Sequence, residues 1–128
     1  EADVEKIAAW GYDHVRLPFH YNVLWDDERQ AFREDGFALF DTFLGWCRTY
    51  GLPVILDMHA APGGQSAHNI ADAHGTAALW VGPDAAANQD LTVKIWEEIA
   101  RRYGYDNFPD ELRPFRFFFY SRISVSRQ

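Results

Sequence analysis

Apolar residues in the first ten positions, "EADVEKIAAW", recur at helical spacing: Val4, Ile7, Ala8 and Trp10 are expected on one face. Gly11 is placed to close that helix. The period then changes. "HVRLP", residues 14–18, is a short apolar run that reads as a strand stopped by Pro18. Residues 19–36 are polar and irregular, with Trp25 inside them and Gly36 at their end. The helical period returns in "FALFDTFLGWCRTYG", where Phe37, Phe40, Phe43, Leu44 and Cys47 share a face and Gly51 is the natural stop. "LPVILDMH" is a second, nearly all-apolar strand, and residues 60–87 form a long loop rich in Ala, Gly, Pro and Asn. "NQDLTVKIWEEIARRYG", residues 88–104, is a helix whose buried stripe is Leu91, Ile95, Ile99 and Tyr103, with Trp96 beside it and Asn88 or Asp90 as its cap.

The order is therefore α, β, loop, α, β, long loop, α, without internal repeats, which spells an α/β protein built on an open sheet or on part of a barrel. A strand apolar on both sides implies a parallel sheet covered on both faces. In either architecture the chemistry gathers at the C-terminal ends of the strands. Two such ends are chemically odd, Arg16 and the stretch Asp57 to His59, and both are expected on one rim.

Composition narrows the classes. The 128 residues suffice for one domain, and 48% hydrophobic with 24% charged residues excludes disorder over most of the length. A net charge of −7 argues against nucleic acid as a partner, because neutralising phosphates takes clustered cations. No apolar run reaches the ~18 residues of a membrane span, so no membrane association is expected. The single Cys47 excludes an internal disulfide. The chain begins with Glu1 rather than Met, so an incomplete N-terminus is expected and no localisation follows. Charge is uneven: residues 113–128 hold four of the twelve basic residues and no acid.

The candidate chemistry centres on "DMHAAPGGQS", residues 57–66. Arg16 offers a fixed fork of donors suited to a carboxylate; its structural alternative is a pair with Asp13 or Asp57. His59 can donate to or accept from a hydroxyl, or be a core histidine satisfied by a carbonyl. Pro62, Gly63 and Gly64 make a turn that lets backbone approach a ligand, and Gln65, Ser66, His68 and Asn69 add hydroxyl-compatible donors and acceptors. Asp57 either orients His59 or caps the turn, the second being favoured. Trp25 and Trp80 fall in loops, where an indole serves either as a platform for a sugar ring or as a plug; Trp46 and Trp96 belong to helices and the core. His59, His68, Asp72 and His74 are possible metal ligands, but their spacing matches no compact zinc motif, and neither metal nor cofactor is expected.

Three blocks, "IAAWGYDHVRLPFHYNVLW", "YGLPVILDMHAAPGGQS" and "LTVKIWEEIARRYG", resemble consecutive parts of glycoside hydrolase family 5, the cellulase family, nearest the branch of exo-β-1,3-glucanases and related β-glucosidases. The resemblance covers residues 1 to about 105 in order. It implies a partial (β/α)8 TIM barrel, from the second strand to the third helix, and retaining hydrolysis of β-glucosidic bonds in a β-glucan or β-glucoside substrate. It implies that Arg16 supports the nucleophile and that His59 contacts the sugar beside the cleaved bond; Trp25, Gln65, His68, Asn69 and Trp80 are further candidate substrate contacts on their own chemistry and loop positions. Members of the family are often secreted.

The departure lies downstream. Retaining hydrolysis uses two carboxyl groups ~5–5.5 Å apart, and the family supplies the first in an Asn-Glu-Pro motif after the fourth strand and the second after the seventh. None of Glu1, Glu5, Glu28, Glu34, Glu97, Glu98 and Glu111 follows an Asn. Residues 1–107 are therefore expected to be a partial catalytic barrel that is inactive alone. Residues 108–128, "FPDELRPFRFFFYSRISVSRQ" from Phe108 on, form a basic aromatic tail at the place of the fourth strand, either frame-shifted or naturally divergent. The alternatives are a non-catalytic carbohydrate-binding remnant and a metal hydrolase using His59, His68 and His74.

Overall fold

The computed structural model of the protein describes residues 1–104 and a two-residue strand, Phe118–Phe119. Helix α1 spans Ala2–Ala9 and buries Val4, with Ile7 and Ala8 packed partly against the core. Trp10 does not join them: it is 71% exposed. Six residues after Val4 it lies about 120° round the helix from it, off the buried stripe.

Strand β1, Val15–His20, runs through Pro18 rather than stopping there. A proline is tolerated on an edge strand, where one side of the ladder is open, and β1 is the edge of a three-stranded sheet among the described residues. The stretch expected to be irregular contains a 3₁₀ turn, Tyr21–Val23, and a small antiparallel hairpin of β2, Trp25–Asp26, and β3, Ala31–Phe32. The Asp26 carboxylate makes the hairpin turn by accepting the backbone N–H groups of Glu28 and Arg29, both at 3.0 Å. Trp25 is thereby a core residue, 2% exposed, with Phe32 packed edge-on at 5.2 Å and the Lys94 ammonium 4.3 Å from its ring centroid. The expectation of a loop indole open to a sugar is corrected: the ring is enclosed by protein, with its hairpin partner Phe32 at its edge and Lys94, from far along the chain, over its face.

Helix α2, Glu34–Thr49, buries Phe37, Phe40, Leu44 and Cys47 as the periodicity requires. It begins before Phe37 because Glu34 and Asp35 occupy its first turn, where acidic groups meet the positive end of the helix dipole. Gly51, at φ +70°, turns the chain out of the helix, and the Leu52 N–H returns to the Cys47 carbonyl at 2.8 Å. Strand β4, Val54–Ala60, then pairs in parallel with β1, from Val15 opposite Val54 to Phe19 opposite Met58. The third strand, β5, is Phe118–Phe119, parallel to β4 with Ile55 opposite Phe118. The rest of the expected tail, and its boundary at residue 107, lie outside the described residues.

Helix α3 spans Ala85–Tyr103 and buries Thr92, Ile95, Ile99 and Tyr103; Leu91 is only partly buried. Thr92 takes a core position because its hydroxyl donates to the Asn88 carbonyl at 2.7 Å. Neither Asn88 nor Asp90 caps the helix: Asp84 holds the N-cap position without a side-chain bond. Asn88 and Gln89 instead donate to the Ala78 and Leu79 carbonyls, at 3.0 and 2.9 Å, and tie the helix to the preceding loop.

The core lies on one face of the sheet, where Phe19, Val54, Leu56 and Met58 meet Phe40, Leu44, Ile95 and Ile99. Alternation puts Arg16, Pro18 and His20 of β1 and Ile55, Asp57 and His59 of β4 on the other face. None of these six is buried among the described residues, which cover the sheet on one face. The run Val54 to Leu56 reads as uniformly apolar only because Ile55 stands on the open face.

Candidate functional site

Neighbouring parallel strands set side chains of the same parity side by side. Arg16 stands opposite Ile55 and Pro18 opposite Asp57, so the Arg16 side chain passes along the open face toward the strand ends. Its Nη2 donates to Asp57 Oδ2. The same Oδ2 lies 2.9 Å from His59 Nδ1, which is also 3.1 Å from Arg16 Nη2. The carboxylate is the inner member, 18% exposed, whereas the Arg16 and His59 side chains are 55% and 47% exposed. Two proton placements satisfy the group. With hydrogen on Nδ1, His59 donates to Asp57; with hydrogen on Nε2, its Nδ1 accepts from Arg16. No described residue hydrogen-bonds Nε2, so the outer edge of the ring presents an acceptor in the first state and a donor in the second. Asp57 thus orients both neighbours, correcting its expected role as a turn cap. Of the two structural partners considered for Arg16, the structure selects Asp57; Asp13 bonds His14 instead.

The turn after β4 is held by Gln65. Its Oε1 accepts the Ala61 N–H at 3.0 Å and its Nε2 donates to the His59 carbonyl. The amide expected to face a ligand is therefore engaged by the backbone around it. The two glycines also serve the protein's own chain. Gly63 and Gly64 have φ of +73° and +74°, and their carbonyls accept from Ala78 and Leu79 at 2.9 and 3.2 Å. A Cβ on Gly63 would sit 2.3 Å from Asn88 Nδ2 and 2.9 Å from the Ala78 carbonyl carbon. The close approach expected for a ligand is made instead by residues 77–79 and the first turns of α3.

Of the other candidates, Trp80 is 42% exposed and its Nε1 donates to the Gln65 carbonyl at 2.9 Å. His68 and Asn69 are exposed on the loop, with the His68 N–H bonded to Ser66 Oγ at 3.2 Å. The structure does not bring His59, His68 and His74 together: among the described residues no three His, Cys, Asp or Glu side chains are placed to share a metal ion. Sequence reasoning passed over His20, although it shares the parity of Arg16 four residues earlier. His20 Nε2 lies 3.0 Å from Asp72 Oδ2.

No described glutamate hydrogen-bonds Arg16, Asp57 or His59. Glu34 and Glu98 are both bound by Arg102, behind the sheet. Hydrogen bonds from Arg101 and Arg102 pull the Glu98 carboxyl down to about 2, against burial, which pushes it up. Among the described residues no helix is long and apolar enough to cross a membrane.

Comparison with known proteins gives this geometry a context. Residues 1–108 match Cellulase (glycosyl hydrolase family 5). Endoglucanase C of Acetivibrio thermocellus is 40% identical over 104 residues, covering 80% of this chain and 28% of that protein. Cellodextrinase A of Ruminococcus flavefaciens is 36% identical over 111 residues, covering 83% of this chain and 29% of that one. Glucan 1,3-beta-glucosidase of Blumeria graminis is 33% identical over 103 residues, with 80% and 23% covered. The chain thus spans under a third of the length of these relatives. In fold it superposes on rutinosidase from Aspergillus niger with a TM-score of 0.61 at 22% identity, over 79% of this chain and 28% of that one. The architecture is that of part of a (β/α)8 barrel, and the chain belongs to the cellulase family, glycosyl hydrolase family 5.

Proposed function

We propose that this chain is one sector of a retaining glycoside hydrolase acting on β-glucosidic bonds of glucans or glucosides. In this reading β1 and β4 are the second and third strands of the barrel, and α3 is its third helix. The observation that carries it is the junction of Arg16, Asp57 and His59 on the open face of two parallel strands. That face is the interior of the barrel these strands belong to, and its rim is where such barrels do their chemistry. Arg16, fixed by Asp57, supports a catalytic carboxylate, and the outer edge of His59 contacts a hydroxyl of the sugar. Asp57 is a positioning residue: it holds both groups at fixed angles and keeps the cation from wandering. The two carboxyl groups of retaining hydrolysis come from sequence other than residues 1–104, and the chain by itself does not turn over substrate.

Relatives named as an endoglucanase and a glucan 1,3-beta-glucosidase support a glucan or glucoside as substrate. Trp80, partly exposed on the loop after β4, supports a second reading in which the same surface binds carbohydrate without cleaving it.

The test is a graft. Residues 1–104 replace the matching segment of Endoglucanase C, and hydrolysis of β-1,3- and β-1,4-glucan is followed. The graft is expected to retain measurable turnover, and Arg16→Ala or His59→Ala to lower kcat/KM by about 10²-fold or more, the scale of a lost electrostatic contact in the transition state. Asp57→Asn is expected to lower it less, with kcat falling more than KM rises. A folded graft whose activity ignores all three changes refutes the assignment. Hydrolysis by the ungrafted chain, abolished by changing one of its own glutamates, refutes the view that the carboxyl pair lies elsewhere.

A further inference from the structure

The turn that follows β4 is held by its own backbone. The Gly64 N–H returns to the Ala61 carbonyl at 2.8 Å, and the Gly63 and Gly64 carbonyls accept from Ala78 and Leu79. None of these bonds uses the Gln65 side chain, whose Oε1 accepts the Ala61 N–H and whose Nε2 donates to the His59 carbonyl. We propose that Gln65 is a positioning residue, which fixes the backbone of His59 and the indole of Trp80 relative to one another, so that the two meet a bound saccharide as one unit. The inference rests on the reading of His59 and Trp80 given above and deepens it, naming the residue that couples them.

The His59 carbonyl and the Ala61 N–H flank Ala60 at the end of β4. In a parallel ladder, one residue of a neighbouring strand takes such a pair, a carbonyl and the N–H two residues on. β1 ends at His20, opposite Ala60, and the chain then turns away into Tyr21–Val23. The Gln65 amide carries a donor and an acceptor on one planar group, and it takes the place of such a strand residue. It thereby fixes the peptide plane that follows His59. Asp57 and Arg16 hold the same histidine by its ring, both at Nδ1. A histidine held at the ring and at the backbone has its Nε2 edge aimed in one direction.

Gln65 also reaches the loop. Trp80 Nε1 donates to the Gln65 carbonyl at 2.9 Å, across 15 residues of sequence. The indole is held by its nitrogen edge while it stays 42% exposed, so it is anchored without being buried. One residue thus bonds both groups, through its side chain to His59 and through its backbone to Trp80. A saccharide gains from this, because it offers a ring face and hydroxyls at fixed spacing, and freedom removed before binding is not lost on binding. A role confined to holding the turn would duplicate the three backbone bonds that already hold it.

The experiment takes the full chain, isotope-labelled, and follows three signals by NMR: the Trp80 indole N–H, assigned with Trp80→Phe, the His59 ring, and the Ala78 and Leu79 amides. Gln65→Met loses both side-chain bonds at similar length. Gln65→Glu keeps an acceptor for the Ala61 N–H and loses the donor to His59. Both are expected to shift the His59 ring signals, and Gln65→Met to speed exchange of the Trp80 indole proton by about tenfold, the scale of one lost hydrogen bond. Exchange of the Ala78 and Leu79 amides should change less than about twofold. In the graft described above, Gln65→Met should lower kcat/KM about tenfold. It should lower it no further when His59→Ala and Trp80→Phe are already present, because a residue that acts through others has no effect without them. If both variants leave His59 and Trp80 unchanged, or release the Ala78 and Leu79 amides to the same degree, Gln65 is only a turn anchor and the inference is wrong. An equal loss of kcat/KM in both backgrounds has the same meaning, and in each of these cases a loss of activity in His59→Ala leaves the reading of the site standing. If the NMR changes are as expected but the graft ignores both Arg16→Ala and His59→Ala, the reading of the site fails and the positioning role falls with it.

Discussion

Behind the sheet, α2 and α3 are joined by an ionic cluster whose pH dependence has a definite sign. Arg102 donates through Nε to Glu98 at 2.6 Å and through Nη1 to Glu34 at 2.8 Å, while its guanidinium carbon lies 3.7 Å from the centroid of Phe37. Glu98 also accepts from Arg101, at 2.7 Å. These bonds lower its carboxyl from an ordinary 4.5 to about 2. The folded state thus favours the ionised form, and the stabilisation is complete above about pH 4.5 and lost as pH falls toward 2. A shift of that size corresponds to at most about 3.5 kcal/mol at roughly 1.4 kcal/mol per unit. The Arg101 and Glu34 side chains are mostly in solvent, so screening reduces the expected value to about 1–2 kcal/mol. Urea unfolding of the wild-type chain and of Glu98→Gln, at pH 7 and at intervals down to pH 2.5, measures it. The variant should be less stable by that amount at pH 7, and the difference should close as the acid limb is reached. Two curves that stay parallel from pH 7 to pH 2.5 would show that Glu98 titrates alike in both states, and the assignment of its partners would be wrong.

Two further perturbations test the packing around the site. Gly63→Ala combines a left-handed backbone with a Cβ placed 2.3 Å from Asn88 Nδ2, and should destabilise by about 2–4 kcal/mol. Gly75→Ala shares the positive φ but meets nothing within 4 Å, so thermal unfolding should show it losing only about 1–2 kcal/mol; equal losses would mean the contact with α3 is unimportant. Cys47 is buried and burial raises its thiol to about 11. At pH 8 the native chain should react with a maleimide far more slowly than the urea-unfolded chain, and prompt stoichiometric labelling of the folded protein would contradict the placement of α2.

Periodicity made the helices and the two parallel strands β1 and β4 legible, because α2 and α3 bury their stripes against one face and need no distant partner to be read. It failed where burial depends on residues far along the chain. Trp25 looks like a loop indole in sequence, and becomes core only when Phe32 folds back and Lys94 arrives from α3. Pro18 looks like a terminator, yet the strand continues through it to His20, with β1 at the edge of the sheet among the described residues. Arg16 and His59 stood out as polar groups in apolar strands. Their junction through Asp57 was weighed only as one option among several, since parity alone does not say which acid a long arginine reaches. His20 went unnoticed for a related reason. Its partner Asp72 is 52 residues away, in a loop whose path no local pattern gives.

Groups that face a ligand and groups that hold them are different sets here, although the sequence mixes them in ten residues. Gln65 and His59 look equally suited to a hydroxyl. Gln65, however, binds the His59 carbonyl and the Ala61 N–H with its side chain and the Trp80 indole with its own carbonyl. It ties the end of β4 to the loop that carries Asp72 and Trp80. Among the described residues His59 Nε2 has no partner, because Asp57 and Arg16 take up Nδ1. The same division recurs at the end of β1, where His20 holds one oxygen of Asp72 and the second has no hydrogen-bond partner among the described residues. In both places a neighbour satisfies half of a polar side chain and fixes the direction of the other half. That arrangement suits a ligand made of hydroxyls, which rewards donors and acceptors set at fixed angles more than it rewards charge.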